Sequence, residues 1–143
     1  MPRYRTTIES SRSIHELFSY FKDFSNSQAW DPGVVRASCE SNGTIGLGSA
    51  FLVSAKFNQR VMDLRYVITE FEEPHRLVFE ASIPAGRSVD TVTFSARNHG
   101  CALTYDASLV LDGWWRLTSP ILSLLFRRTG NAARAGMTEV LNP

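Results

Sequence analysis

Histidine and cysteine are scarce in this chain, and the chemistry they usually carry is scarce with them. His15, His75 and His99 stand singly, and Cys39 and Cys101 lie far apart. There is no CxxC, no HExxH, no Gly-rich loop followed by Lys and no nucleophile elbow. That removes the usual signatures of zinc sites, P-loops and α/β-hydrolases. A metal would need a fold that converges three scattered histidines, so neither a metal nor a cofactor is expected. Charge of one sign is missing too. A formal net charge of +1 provides no overall field for nucleic acid, and no nucleic-acid partner is expected. The longest apolar run is too short to span a bilayer. The polar start, Met1-Pro2-Arg3-Tyr4-Arg5, shows no signal peptide, so a cytoplasmic protein with reduced thiols is expected.

What is present is enough for a core. A length of 143 residues with 43% hydrophobic and 11% aromatic content reads as one domain, 1–143, with no repeat or linker. Residues 4–10 carry the β-branched content of a first strand. Ser11 or Ser13 can cap a short helix with Ile14, Leu17, Phe18 and Phe21 on one face. Residues 23–29 read as a second short helix or turn, and Trp30-Asp31-Pro32-Gly33 as a loop. A second strand is expected over 34–40, followed by a turn at Asn42-Gly43.

The middle of the chain alternates with period two. Phe51, Val53, Ala55 and Phe57 are in phase over 49–57. Met62, Leu64, Tyr66 and Ile68 share a face over 61–71, as do Leu77, Phe79, Ala81 and Ile83 over 75–83. Val92 and Phe94 follow over 89–96, then Leu103, Tyr105, Ala107, Leu109 and Leu111 over 102–111. Such patterns give one buried and one wet face, as in an antiparallel meander. Short turns are expected at Glu73-Pro74, Pro84-Ala85-Gly86 and Asn98-His99-Gly100.

The last third switches to a helical period. After Gly113-Trp114-Trp115, Ser119 is expected as N-cap and Pro120 at the first helical position. Leu122, Leu125, Thr129, Ala132, Ala133, Gly136 and Val140 fall on one side, with Ser123, Arg127, Asn131, Arg134 and Thr138 opposite. Small residues in that stripe allow either very close packing on the sheet or a hollow beside it. Adjacent tryptophans do not easily share one core face. They are expected to close one end of the core, because one short patch rarely anchors a protein. The alternative is transient membrane contact through Trp114 and Trp115, since Trp with Arg is the composition of interfacial segments.

Strand, two helices, six strands and a long helix is the resulting order. The Phe18–Asp23 segment, Trp30-Asp31-Pro32-Gly33-Val34, Gly46-Leu47-Gly48-Ser49 and Pro74-His75-Arg76-Leu77 carry a family resemblance. It continues through Asp90-Thr91-Val92-Thr93-Phe94, Gly100-Cys101-Ala102-Leu103-Thr104-Tyr105 and the closing helix. On these diffuse motifs, covering nearly the whole chain, the sequence resembles the polyketide cyclase/dehydrase and lipid-transport branch of the START-like (SRPBCC) superfamily. The resemblance implies an α+β helix-grip fold: a curved seven-stranded antiparallel sheet wrapped around a long C-terminal helix, with two short helices between strands 1 and 2. It also implies an apolar cavity for lipids, polyketides or related molecules. None of the motifs is a catalytic signature, and fold alone does not assign an activity.

Strand parity and the helix stripe name the expected cavity lining. From the strands come Phe51, Val53, Met62, Leu64, Tyr66, Leu77, Phe79, Val92, Phe94 and Tyr105, and from the helix Leu125, Thr129 and Ala132. Trp30 either lids the cavity or anchors its loop. Asp90, Tyr66 and Tyr105 are the candidate catalytic groups, being polar and in phase with the inward face. An enclosed Asp90 would be a general acid or base. Strand ends are usually wet, however, and Asp90 is expected to be hydrated at the strand mouth. The phenols either orient a ligand or bond backbone carbonyls. One acid and two phenols without a histidine favour a non-catalytic binder or carrier of a hydrophobic small molecule, monomeric or homodimeric. The alternative is a polyketide aromatase/cyclase or dehydratase acting on an enclosed carbonyl substrate; a third is an interaction module without cargo.

Overall fold

Alternating apolar residues with β-branched neighbours build the sheet in the computed structural model, which describes residues 2–57 and 59–142. The strands are β1 (Arg3–Ser10), β2 (Val34–Cys39), β3 (Ala50–Phe57), β4 (Arg60–Glu72), β5 (Arg76–Ile83), β6 (Gly86–Arg97) and β7 (Gly100–Leu111). They form one antiparallel, curled half-barrel in the order β1-β7-β6-β5-β4-β3-β2. From β2 to β7 every neighbour is a hairpin partner. β1 alone arrives from elsewhere and pairs with β7 from Arg3↔Ser108 to Ser10↔Cys101. In β4 the register shifts between Ile68 and Glu70, which turns Phe71 inward against Phe18, their rings 5.2 Å apart.

The chain crosses from the β1 edge to the β2 edge through two short helices. α1 (Ile14–Lys22) is capped by Ser13, whose hydroxyl accepts from the Glu16 N–H at 3.2 Å. It buries Leu17, Phe18 and Phe21. A 3₁₀ turn, Phe24–Asn26, leads into α2 (Ser27–Trp30). Trp30 therefore closes a helix rather than sitting in a loop, and it is buried.

These helices bring aromatic rings onto one end of the concave face. Phe24 stacks on Phe79 at 4.3 Å and meets Phe51 and Tyr66. Phe21 contacts Trp30 and Phe94. Apart from the stacked Phe24–Phe79 pair, these rings pack tilted or edge-on, an arrangement their quadrupoles favour. The plug fills that end of the half-barrel.

α3 (Ser119–Leu141) closes the sheet, lying against β1 and α2. The whole is the helix-grip architecture expected from the sequence. Two details differ. A 3₁₀ segment, Gly113–Thr118, runs directly into α3, so Thr118 rather than Ser119 is the N-cap and makes no side-chain capping bond. The Thr118 hydroxyl instead donates to the Trp115 carbonyl at 2.6 Å. The helix is also rotated from the expected stripe. Ala133, Met137 and Leu141 are buried, Leu125 and Val140 are half-buried and Ala132 is exposed. Met137 and Leu141 take the inward positions because they bury more apolar surface there than Ala132 and Val140 would.

Of the alternatives that the small stripe residues allowed, Gly136 takes the close packing, and Gly130 makes a like contact. A Cβ on Gly136 would lie 1.8 Å from the Trp30 carbonyl oxygen. One on Gly130 would lie 2.3 Å from the Tyr4 ring. At these two places helix and partner touch through the missing side chain.

Gly136→Ala is therefore expected to destabilise the protein. Alanine gains about 1 kcal/mol of helix propensity, but overpacking against an immovable backbone costs about 1–3 kcal/mol or more. Urea unfolding should show a lower midpoint for Gly136→Ala than for wild type. Ala132→Gly, at an exposed position, should lose only about 1 kcal/mol. A raised midpoint for Gly136→Ala would show that α3 is not seated on that carbonyl.

Candidate functional site

Beyond the aromatic plug the concave face is not filled. Between it and α3 lies a cavity of about 450 Å³. Its walls are apolar: Met62 and Leu64 from β4, Leu109 and Leu111 from β7, and Leu122, Phe126 and Met137 from α3. The exposed Arg60 and Pro84, with the half-buried Phe57 and Trp115, mark where it reaches the surface. Tyr66, Ser88, Asp90 and Tyr105, all buried, bring polar atoms to its inner end. The half-buried Asp31 adds a second carboxylate to the lining.

Pairing and pleat position these polar groups. Ser88, Asp90 and Val92 alternate inward on β6, and Asp90 sits opposite Ala107 of β7 and Phe79 of β5. The Tyr105 hydroxyl donates to Asp90 Oδ2 at 2.6 Å. The Trp30 ring packs edge-on against Tyr105, centroids 5.3 Å apart, and holds the phenol in place. Tyr66 and Ser88 share a hydrogen bond of 3.0 Å between their hydroxyls. Neither phenol is spent on a backbone carbonyl.

Asp90 is thus enclosed, with 7% of its surface exposed, and is not the hydrated strand-mouth residue expected from its position. β6 begins three residues earlier than the expected strand, at Gly86, which moves Asp90 away from the strand end. Desolvation raises its pKa from 3.8 to about 7, the Tyr105 hydrogen bond opposing and the Asp31 charge adding to the rise. Burial likewise raises the pKa of Tyr66 and Tyr105, with Asp90 adding to both. Asp31 is raised by burial against a lowering hydrogen bond from the Gly33 N–H. A carboxyl that changes charge near neutrality, beside neutral phenols and inside an apolar wall, can donate to a carbonyl or accept from a hydroxyl.

Of the residues expected to line a cavity, Met62, Leu64, Tyr66, Tyr105 and Thr129 do so. Phe51, Val53, Leu77, Phe79, Val92 and Phe94 face the same side but belong to the packed core. Trp30 is part of that core and anchors rather than lids. Leu125 and Ala132 miss the lining because of the helix rotation. His15, His75 and His99 are exposed on separate elements.

The sequence reading passed over Asp31 and Ser88. Ser88 shares the parity of Asp90, and extending the alternation two residues back would have found it. Asp31 had only a turn signature, and nothing local marks a turn carboxylate as facing a cavity. The tryptophans also fall differently from expectation. Trp114 and Trp115 stack on one another at 4.3 Å. Trp115 lines the cavity, whereas Trp114 is 66% exposed, so the pair does not close the core. A 3₁₀ segment sets consecutive residues at different angles about its axis, so the stacked pair turns its Trp115 ring to the cavity and its Trp114 ring to solvent.

The sequence model of the family described as "Polyketide cyclase / dehydrase and lipid transport" matches residues 1–140. No functionally curated protein matches the chain. A START superfamily protein from Mycobacterium smegmatis superposes with a TM-score of 0.75 at 12% identity, over 97% of this chain and 96% of its own. The di-domain ARO/CYC BexL from the BE-7585A biosynthetic pathway also gives 0.75 at 12% identity. That match covers 99% of this chain and 50% of BexL, so this chain spans about half of that protein. Major latex-like protein 151 of Panax ginseng gives 0.73 at 9% identity, over 99% and 97% of the two chains. At such identities the likeness is one of fold.

The enclosure of Asp90 makes stability depend on pH in a stated direction. Its pKa is raised on folding, so its contribution is fully present below about 3.8 and is lost as pH rises towards about 7. Asp31, shifted the same way, adds to the trend. Between those pH values the loss approaches at most about 1.4 kcal/mol per pH unit for one group. Chemical denaturation of wild type and Asp90→Asn at a series of pH values should show the variant gaining on wild type from about pH 4 to pH 7. A constant difference would mean that Asp90 is hydrated.

Proposed function

We infer that this chain, which belongs to the polyketide cyclase/dehydrase and lipid transport family, binds or carries a hydrophobic small molecule in the cavity between its sheet and α3. The observation that carries this reading is the cavity itself. Its volume falls within the range of about 300–1,000 Å³ typical of ligand pockets. Its wall is apolar, and its few polar groups converge at one end. Such a site takes a lipid-like or polyketide-like molecule, apolar along its length with one oxygen function to orient. Met62, Leu64 and Thr129 contact the apolar body, while Asp90, Tyr66 and Tyr105 face the polar end. Cys39 and Cys101 are both free thiols, which suits a reducing, cytoplasmic setting. No helix among the described residues is long and apolar enough to cross a membrane.

A second reading has one specific observation in its favour. Asp90, with a pKa raised to about 7 and one oxygen held by the Tyr105 hydroxyl, is suited to moving a proton on an enclosed carbonyl compound. In this version the protein is an aromatase/cyclase or dehydratase, Asp90 the acid or base and Tyr66 or Tyr105 the hydrogen-bond donor to the carbonyl. The two readings part at Asp90→Asn. A carrier keeps its ligand and releases it unchanged. An enzyme still takes up the substrate and loses turnover by at least about 100-fold.

Native mass spectrometry, then denaturation and identification of what is released, tests occupancy directly. Titration with an apolar fluorescent probe such as anilinonaphthalene sulfonate supplies the mutational arm. Ala107 lines the cavity and is half-buried, so Ala107→Phe should fill it and weaken probe binding at least about tenfold. The exposed control Val61→Phe should leave binding unchanged. Equal affinity in wild type and Ala107→Phe, with both folded by circular dichroism, would overturn the cavity as the binding site.

A further inference from the structure

The strongest feature that the cavity does not use is the outer face of the segment leading into α3. Trp114, Leu117, Ile121 and Leu124 are 66%, 84%, 68% and 65% exposed. Their spacing of three, four and three places them on one side, first of the 3₁₀ segment and then of the helix. This is a continuous apolar ridge rather than scattered surface residues. The same line continues one turn further into Arg127 and Arg128, both exposed, and Arg116 lies between Trp114 and Leu117 in the chain.

The charge along this segment has one sign. From Gly113 to Thr138 there is no Asp or Glu, and the charged residues are Arg116, Arg127, Arg128 and Arg134. None of the four forms an ion pair among the described residues. The rest of the chain holds the other 11 Lys and Arg and all 14 Asp and Glu, a net charge of −3, so the positive charge is concentrated in this segment. An exposed Trp, three large aliphatic residues and unopposed arginines are what an interfacial segment needs. The apolar side chains enter the headgroup boundary while the guanidinium groups meet lipid phosphates.

We propose that this face, Trp114, Leu117, Ile121 and Leu124 with Arg116, Arg127 and Arg128, docks the protein on an anionic lipid surface. Charge decides the occupant. A second copy joined through the same face would set its arginines against their own equivalents, whereas anionic headgroups complement them. The position gives docking a use, and that use rests on the ligand-binding reading. Trp114 stacks on Trp115 at 4.3 Å, and Trp115 lines the cavity. The docked face therefore borders the cavity mouth, and an apolar ligand could pass between bilayer and cavity with little exposure to water.

Flotation of the full chain with vesicles of phosphatidylcholine plus phosphatidylglycerol, against pure phosphatidylcholine, tests this. Wild type is expected to float with the anionic vesicles and to be released by high salt. Trp114 emission should shift to shorter wavelength on binding. Leu117→Ser with Ile121→Ser should abolish flotation. Arg127→Glu with Arg128→Glu should reduce it at least about tenfold, each cationic residue near an anionic surface being worth about 1 kcal/mol. None of these four residues lines the cavity, so both variants should bind the fluorescent probe as wild type does. Loss of probe binding in wild type would refute the ligand reading and leave docking standing. Wild type that stays unbound to anionic vesicles would overturn docking. So would equal flotation of the arginine variant. A dimer in sedimentation velocity that Leu117→Ser with Ile121→Ser dissociates would give the face to a second copy instead.

Discussion

The contact between Gly136 and the carbonyl of Trp30 is the constraint on which the rest of this structure depends. It fixes where α3 lies, because no side chain can stand between the helix and that oxygen. It also ties the helix to the residue that organises the site. The Trp30 ring packs on Phe21 and Phe24 on one side and on Tyr105 on the other. Tyr105 in turn bonds Asp90. A single close approach thus connects the seating of the helix, the aromatic plug and the enclosed carboxyl. Main-chain atoms cannot change rotamer, so the contact is stiffer than a side-chain pair would be.

The cavity follows from uneven filling of one curved surface. Large aromatic residues cluster where α1 and α2 cover the sheet, and they pack there without leaving room. Towards the other end neither α1 nor α2 covers the sheet, and α3 approaches it with Leu122, Phe126 and Thr129 at its surface. The gap between is apolar by default, because the inward parity of β4 and β7 is apolar. On β6 the inward Ser88 and Asp90 break that apolar pattern, Asp90 the more sharply. In water it would be an ordinary carboxylate; desolvation in this wall makes its charge conditional on pH. The same environment suits orienting a ligand and moving a proton, so the carrier and enzyme readings share one set of residues.

How much of this was legible in the sequence can be followed residue by residue. The strands were readable because period-two alternation is a local pattern, and Met62, Leu64, Tyr66 and Ile68 all face inward as their parity requires. Ser13, the short first helix and the family resemblance were readable for the same reason. Parity names a face, however, and not a position along it. Phe79 and Leu64 share a face, yet one is sealed in the plug and the other lines the cavity. The α3 stripe was approximately right and rotated in detail, since Met137 and Leu141 competed with Ala132 and Val140 for the inward side. Tertiary packing settled that competition.

The sequence by itself determined the elements, the inward set of side chains, the family and the scarcity of catalytic groups. All of these are written in local periodicity and in residue type. Only the tertiary structure decided that Gly130 and Gly136 close contacts rather than leave space. It also decided that Asp31 turns its carboxyl towards the cavity, that Trp114 faces out while Trp115 faces in, and that Asp90 is dry. Each of these depends on which distant segment lies opposite. A side chain's exposure is a sum over neighbours far away in the chain, and the local sequence does not contain them.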